Sequence, residues 1–230
     1  MRRGSRAAGA GAAICWTLFV ITLVIRLTAG NGGLLAAEMM ENAPPERTGL
    51  PETEYPGVGE MTAGYLTGKR DEFQYTFTNV SGEEYVCFQP HEAAHMADCR
   101  GLILLDGWVC LGTLAAGLGL AAAGLRRKEN RGDFLRGILT GLGILAAVAA
   151  GMAIWAAVNF DGLFVTFHRV AFRNDGWLLD PRTDLLIRLM PESFFIRLGL
   201  RGGAISLAGA AALAAAAGIG LYLRKKRDKQ

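Results

Sequence analysis

The sequence predicts an all-α membrane protein with four transmembrane helices, a small extracytoplasmic α+β part that contains a short β-hairpin, and amphipathic helices at the membrane interface. Apolar residues make up 51% of the 230-residue chain. They are gathered in four blocks, each as long as the roughly 20 residues that a membrane-spanning helix needs. Basic residues cluster beside these blocks, as on the cytoplasmic side of membrane proteins. One polar stretch alternates with aromatic residues and predicts the hairpin.

The apolar blocks run over Gly11–Ala29, Leu102–Leu125, Phe134–Val158 and Gly203–Leu223. The last three are rich in Ala, Gly and Leu, and such small residues let membrane helices pack closely. Burial of all four blocks in a soluble protein is excluded because too few residues remain to cover them. The first block also has the basic start and apolar middle of a signal peptide, but no A-x-A cleavage site follows it. We therefore expect an uncleaved first helix.

Orientation follows from the basic segments "MRRGSR", "RRKENR" and "RKKRDKQ", which the positive-inside rule places in the cytoplasm together with both termini. Anchoring to anionic inner-leaflet lipid accounts for these segments, so the net charge of +3 requires no nucleic-acid partner. The predicted segments are the N-terminal tail and first span (1–29), an extracytoplasmic segment (30–101), the second span (102–125), a cytoplasmic loop (126–133), the third span (134–158), an extracytoplasmic interfacial segment (159–202), the fourth span (203–223) and a cytoplasmic tail (224–230).

The first outer segment contains a linker and a hairpin. Residues 31–60 are rich in Pro, Gly and Glu and predict an irregular linker with at most one short helix. The alternation in "DEFQYTFT", the turn "NVSGEE" and the strand "YVCF" predict the hairpin. Pro90 suits the first turn of a following helix. Cys87 and Cys99 both lie outside the spans, where a disulfide is permitted but not required.

The second outer segment, from residue 159 to 202, predicts short amphipathic helices. Leu163, Phe164 and Phe167 recur at helical spacing with arginines between the apolar positions. Asp180 before Pro181 reads as an N-cap followed by proline at the first helical position. Such elements lie in the membrane interface. A plain amphipathic collar around the helices remains an alternative at this point.

The stretch "HEAAH", from His91 to His95, matches the H-E-x-x-H signature of zinc metalloproteases. There, two histidines on one helix face bind zinc and the glutamate acts as general base. A third ligand is needed, and the spacing of His168, Glu192 and Asp98 is not diagnostic of one. An outer-face zinc protease is therefore one hypothesis.

A second hypothesis starts from topology. His95 lies just before the second span and His168 about ten residues after the third, so both fall near the outer membrane surface. An imidazole can take and return a proton in an acyl transfer, and the ester bonds of lipids lie at that depth. The spacing alone favours a catalytic histidine pair no more than two unrelated histidines at the interface.

Two longer patterns carry a resemblance. "EAAHMADCRGLIL" resembles an E-x-x-H-M-x-D-V pattern that leads into a membrane helix, with Cys99 in place of the usual Val. "FHRVAFRNDGWLLDPRTDLLIRLMPESFF" resembles F-H, then F-x-N-D-x-W-x-L-D-P-x-x-D-x-L-I, then P-E-x-F-F. Together they resemble the four-helix bacterial membrane family that includes the lipoprotein intramolecular transacylases.

The resemblance implies a reaction. A bacterial lipoprotein begins with a cysteine whose thioether carries a diacylglyceryl group, and the enzyme moves the sn-2 acyl chain to the free α-amino group of that cysteine. His95 and His168 would be the acid/base pair, with neither metal nor cofactor needed. Which one is the base, and whether one takes the acyl group covalently, stays open.

The other motif residues receive supporting roles by the same resemblance. Asp98 would orient a ring or hold the substrate amine, with pairing to Arg100 as the alternative. Asn174 would donate to the oxyanion or the substrate, or form a turn with Asp175. Glu92 would orient the His95 ring or a neighbouring arginine. Arg173 or Arg169 would bind a carbonyl or a lipid headgroup, unless their side chains only extend to the membrane interface. Trp177 would be an interface anchor and Asp180 an N-cap.

The resemblance also implies a setting. We expect a monomer in the bacterial cytoplasmic membrane, with both termini inside and the active site on the outer face. Its partners would be the N-terminal lipopeptide of a lipoprotein and membrane lipid. A non-catalytic four-helix lipid-binding or accessory protein remains the third hypothesis.

Overall fold

The computed structural model describes residues 2–78, 81–126 and 128–227. In chain order, its helices are α1 (Arg2–Ala29), α2 (Gly32–Asn42), α3 (Pro45–Thr48), α4 (Tyr55–Leu66), α5 (Pro90–Arg126), α6 (Arg131–Val158), α7 (Phe160–Ala171), α8 (Leu185–Leu189) and α9 (Glu192–Arg227), and its strands are β1 (Thr76–Thr78) and β2 (Glu84–Val86). The helices α1, α5, α6 and α9 are each long and apolar enough to cross a membrane, which confirms the predicted set of four.

Helix α5 matters most for the site because it begins well before its apolar run. It starts at Pro90, where the missing proline N–H costs no hydrogen bond, and continues without interruption to Arg126. His95 and Asp98 therefore lie in the same continuous helix as the apolar run that begins near Leu102.

The chain divides into two compact units. The first comprises residues 1–24, 108–160 and 202–230 and contains parts of all four long helices. Helices α1 and α6 approach closely here, since a Cβ at Gly137 would clash with the carbonyl oxygen of Arg6. Ala13 and Phe134 are almost fully buried at this contact. Leu118 and Leu207 instead face outward, 63% and 70% exposed, as suits helices surrounded by lipid.

The second unit comprises residues 25–107 and 161–201. Its core packs α2 against α4, and a Cβ at Gly59 would clash with the carbonyl oxygen of Gly32. The prediction of an irregular linker over residues 31–60 was wrong. The prolines lie at the starts of α3 and α4, where proline favours a helix, and the glycines allow the close crossing.

The predicted hairpin is confirmed. Strands β1 and β2 pair antiparallel with Thr76 opposite Val86. Within the predicted turn, Asn79 and Val80 lie outside the described residues. Cys87 and Cys99 are both free thiols, so the permitted disulfide is not formed.

The segment over residues 159–202 has the predicted amphipathic helix as α7, but the predicted N-cap at Asp180 was wrong. Helix α8 begins at Leu185, and Asp184 occupies its cap position. The carboxylate of Asp180 is taken by the side chain of Arg182, 2.6 Å away, and by the backbone N–H of Arg182. Residues 181–183 therefore form a turn instead of a helix.

Candidate active site

The second unit brings together the two histidines that the sequence separates. His95 comes from the second turn of α5 and His168 from α7, and their ring centroids lie 6.0 Å apart with the ring planes inclined by 34°. Both side chains are buried, with 8% and 7% exposed. At this spacing, one ester group can contact both rings.

Aromatic side chains enclose His168. Phe164, Phe172 and Trp177 have ring centroids 4.1, 5.5 and 5.0 Å from its centroid, and Phe172 also meets His95 at 5.1 Å. Phe164 and Phe172 lie one helical turn before and after His168 and so share its face. Trp177, expected as an interface anchor, lies against the imidazole. This enclosure lowers the local dielectric and strengthens electrostatic interactions inside it.

The tautomer of His168 is fixed by its own helix. Its Nδ1 lies 2.8 Å from the carbonyl oxygen of Phe164, which can only accept a hydrogen bond, so Nδ1 carries the proton. In the neutral ring, Nε2 then holds a lone pair. Burial lowers the pKa of His168, and the hydrogen bond to the Phe164 carbonyl only partly offsets this.

His95 is engaged in a different way. Its Nε2 lies 3.5 Å from Sγ of Cys99, one helical turn further along α5. Its Nδ1 is buried and has no hydrogen-bond partner among the described residues. A nitrogen buried without a partner is costly, and a catalytic role is one of the explanations for such an atom in a native structure.

A carboxylate and an amide form the next layer of the site. The Asn174 amide nitrogen donates to Oδ2 of Asp98 at 2.9 Å, across 76 residues of sequence. The Asn174 Oδ1 also accepts from the backbone N–H of Gly176, so the alternative turn around Asp175 is formed as well. Arg100 lies 3.6 Å from Asp71. The alternative pairing of Asp98 with Arg100 is therefore not found.

The other residues of "HEAAH" bind the protein itself. Glu92 is fully buried, and its two carboxylate oxygens each accept a backbone N–H at 2.7 Å, one from Gln89 and one from Leu186. The expectation that it sets the His95 ring or an arginine was wrong. His91 donates from Nε2 to the buried carboxylate of Asp184 at 3.0 Å.

Because of these contacts, the residues of "HEAAH" do not meet the requirements of a zinc protease site. Both oxygens of Glu92 are already occupied by backbone amides, so Glu92 is not free to activate water as a general base. His91 is directed to Asp184 and not to a position shared with His95. Within residues 2–78, 81–126 and 128–227, no three His, Cys, Asp or Glu side chains are grouped as metal ligands.

A pocket of about 410 Å³ is lined in part by Phe172 and Trp177, the two rings that also contact His168. Arg169, Arg173, Asn174, Asp175 and Trp177 contribute to its lining. Arg173 is exposed and forms no ion pair with any described residue. The arginine is therefore available to a ligand that enters the pocket.

Sequence reasoning left three contributors to this arrangement without a role. Cys99 and Phe172 each follow a histidine by four residues, so helical spacing alone could have found them. Asp184 could not have been found in this way, since its contact with His91 depends on how α5 and the segment before α8 meet.

Comparison with known proteins agrees with this geometry. The model of the family described as lipoprotein intramolecular transacylase Lit matches residues 11–195. The chain belongs to this family. Comparison with curated protein sequences gives no match.

Solved structures of the lipoprotein intramolecular transacylase Lit from Bacillus cereus share the fold. One superimposes with a TM-score of 0.76 at 19% identity, covering 100% of both chains. Two others carry a histidine replaced by arginine (TM-score 0.70, 20% identity, 100% and 95% covered) or by alanine (0.72, 19%, 99% and 97%). This transacylase fold establishes a membrane-integral protein with four apolar helices.

Family membership also decides between the hypotheses from the sequence. The chain is an acyltransferase, a lipoprotein intramolecular transacylase. The zinc protease and the non-catalytic accessory protein are thereby set aside.

Proposed function

We propose that this transacylase moves the sn-2 acyl chain of a diacylglyceryl-cysteine to the α-amino group of the same cysteine, with His95 and His168 as the catalytic pair. The observation that carries the proposal is the buried histidine pair itself, 6.0 Å between ring centroids. Acyl donor and acceptor belong to one molecule, so the site mainly has to fold the substrate and transfer a proton from the attacking amine to the leaving oxygen.

His168 is the general base of the proposed reaction. Its Nε2 takes a proton from the attacking amine and returns it to the glyceryl oxygen as that oxygen leaves. The hydrogen bond from Nδ1 to Phe164 holds this nitrogen in place, and the lowered pKa keeps the ring neutral near pH 7. A C–N bond forms, a C–O bond breaks, and the enzyme ends as it began.

His95 supports the negative charge that develops on the carbonyl oxygen. A neutral imidazole N–H is a suitable donor to such an oxyanion, and a buried donor is worth more than one in water. The burial of His95 and its closeness to His168 support this role.

Asp98 holds the substrate amine. The α-ammonium group arrives positively charged, and a carboxylate beside the histidines would bind it. The ammonium group loses one proton to solvent before the neutral amine attacks, and the amine gives its next proton to His168. The hydrogen bond from Asn174 to Oδ2 orients the Asp98 carboxylate and leaves its other oxygen for the ammonium. Asn174 is thus a positioning residue in this proposal.

The pocket lined by Arg173 and Trp177 is the proposed entrance for the lipopeptide. Arg173 would donate to an ester or peptide carbonyl of the substrate. No metal or cofactor takes part, because the reaction needs only a base, a donor and correct placement.

The proposed location is the outer face of the bacterial cytoplasmic membrane, with both termini in the cytoplasm and the protein acting as a monomer. The basic segments at both ends and between the second and third spans support this orientation. A C-terminal fluorescent protein that folds only in the cytoplasm should be bright, and an alkaline phosphatase fusion at the same point should be inactive.

The decisive experiment is expression in a bacterium that lacks the activity. The product is an isomer of the substrate, so tandem mass spectrometry and labelling of free α-amines must be combined. We expect N-acyl lyso-lipoproteins with the wild-type chain and none with His95→Ala or His168→Ala. Diacylglyceryl lipoproteins with free α-amines, in cells with well-inserted wild-type protein, would refute the proposal.

A further inference from the structure

Cys99 is a polar neighbour of His95 and is a departure of this chain from the motif that it otherwise matches. Its Sγ lies 3.5 Å from Nε2 of His95, within the range of a hydrogen bond that involves sulfur. The thiol is free and half-buried. The E-x-x-H-M-x-D-V pattern has valine here, which cannot form this contact.

The direction of this hydrogen bond follows from the chemistry of the two groups. A cysteine thiol keeps its proton near neutral pH, because its ordinary pKa is about 8.5. An imidazole nitrogen is a good acceptor, whereas sulfur is a weak one. The S–H group therefore donates to Nε2, and the single proton of the neutral His95 ring is placed on Nδ1.

The two histidines then present opposite groups to the substrate. Both carry their proton on Nδ1, but in His168 that N–H is taken by the Phe164 carbonyl, and in His95 the Nε2 lone pair is taken by Cys99. His168 is left with a free lone pair and His95 with a free N–H. Nδ1 of His95 is also the nitrogen that is buried without a partner among the described residues.

We propose that Cys99 is a positioning residue that holds His95 in the Nδ1–H form, so that His95 donates to the substrate oxyanion through Nδ1. This inference rests on the proposed role of His95 in the transacylation. Cys99 itself forms no bond to the acyl group and undergoes no redox change. Its contribution is to remove the competing tautomer, in which Nδ1 would have no proton to donate.

The first test measures the tautomer directly. The chain has only three histidines, so ¹⁵N-histidine labelling in detergent gives a simple spectrum, with His91→Ala and His168→Ala used for assignment. We expect the wild-type His95 to show a protonated Nδ1 and an unprotonated Nε2. Cys99→Val should shift part of the population to Nε2–H, and Cys99→Ser, which keeps a donor, should restore the wild-type pattern.

The second test measures rate. Cys99→Val should lower kcat for lyso-lipoprotein formation by roughly two- to tenfold, the effect of losing one modest hydrogen bond, with KM unchanged. Cys99→Ser should recover most of the loss. Cys110→Val is the matched control, because Cys110 lies on the same helix and is buried but has no contact with either histidine among the described side chains.

The results separate this inference from the proposed function. A wild-type His95 with its proton on Nε2, or a Cys99→Val protein with unchanged tautomer and unchanged kcat, would overturn the role of Cys99 while leaving the transacylase intact. Conversely, the expected tautomers in a wild-type protein that forms no lyso-lipoprotein would overturn the proposed function and leave the tautomer assignment standing.

Discussion

The substitution Glu92→Gln distinguishes a structural glutamate from a catalytic one. Glu92 is fully buried, and its two oxygens accept the backbone N–H groups of Gln89 and Leu186, each at 2.7 Å. A glutamine side chain offers one acceptor and one donor. One backbone N–H therefore keeps its partner, while the other faces an NH₂ group and is left buried without one.

The cost can be worked from these contacts. Loss of one charge-assisted hydrogen bond and an unpaired buried donor together lower the free energy of unfolding by about 3 kcal/mol. For a chain of this size, this corresponds to a fall in Tm of roughly 6–12 °C. Because neither oxygen faces the histidines, the correctly folded fraction should retain transacylation.

The assay combines thermal unfolding of the purified protein in detergent with lyso-lipoprotein formation well below the lowered Tm. Glu84→Gln is the matched control, because it makes the same chemical change on an exposed residue of β2 and should leave both measurements unchanged. A Glu92→Gln protein with wild-type Tm but no activity would refute this reasoning and restore a catalytic role for the glutamate.

Three further predictions concern the surroundings of the histidines. Asn174→Asp should be slower than Asn174→Ala in initial-rate measurements, because it replaces a donor 2.9 Å from Asp98 by a second carboxylate; equal rates would argue against this contact. The His168 ring should become protonated only below pH ~6.5 in a ¹⁵N NMR titration, since burial lowers its pKa and its neutral, basic form persists as pH falls; protonation already above this value would contradict the assignment. His91→Ala should lower the free energy of unfolding by no more than about 1 kcal/mol, because its contact with Asp184 is half-exposed, and should leave lyso-lipoprotein formation unchanged; loss of activity in a stable protein would refute this.

The contact between His91 and Asp184 has its own pH dependence. Burial raises the pKa of Asp184, but hydrogen bonds from His91, the backbone of Asp180 and the hydroxyl of Thr183 outweigh this and hold it below the ordinary value. A carboxylate with a lowered folded-state pKa stabilises the protein above the pKa of an unfolded aspartate. Its contribution is lost as pH falls through the folded-state pKa. The free energy of unfolding should therefore decrease in acid through Asp184, independently of catalysis.

The "HEAAH" stretch shows how one short motif can serve separate purposes. His91 and Glu92 attach the first turn of α5 to the segment around α8, through Asp184 and the backbone of Leu186. Only His95 reaches the second histidine. The same spacing that would gather zinc ligands on one helix face here joins two protein segments and fixes the helix that carries His95.

The sequence by itself determined the parts of this protein that depend on local pattern. Four apolar runs specify the long helices because their outward faces must suit lipid, and alternation specifies the hairpin. The motif residues identified the family. Residues 31–60 were misjudged because proline and glycine were read as breakers, whereas proline starts α3 and α4 and Gly59 allows α4 to cross α2 closely.

Only the tertiary structure decided how the site is built. His95 meets His168, Asp98 meets Asn174 and Glu92 meets the backbone of Leu186, each across more than seventy residues of sequence. A backbone N–H has no residue type to reveal it as a partner, and which nitrogen of a histidine is free depends on neighbours from its own helix and beyond. The physical reason is that hydrophobic periodicity depends only on residues close together in the sequence. The partners of buried polar groups, in contrast, are fixed only when separate elements pack.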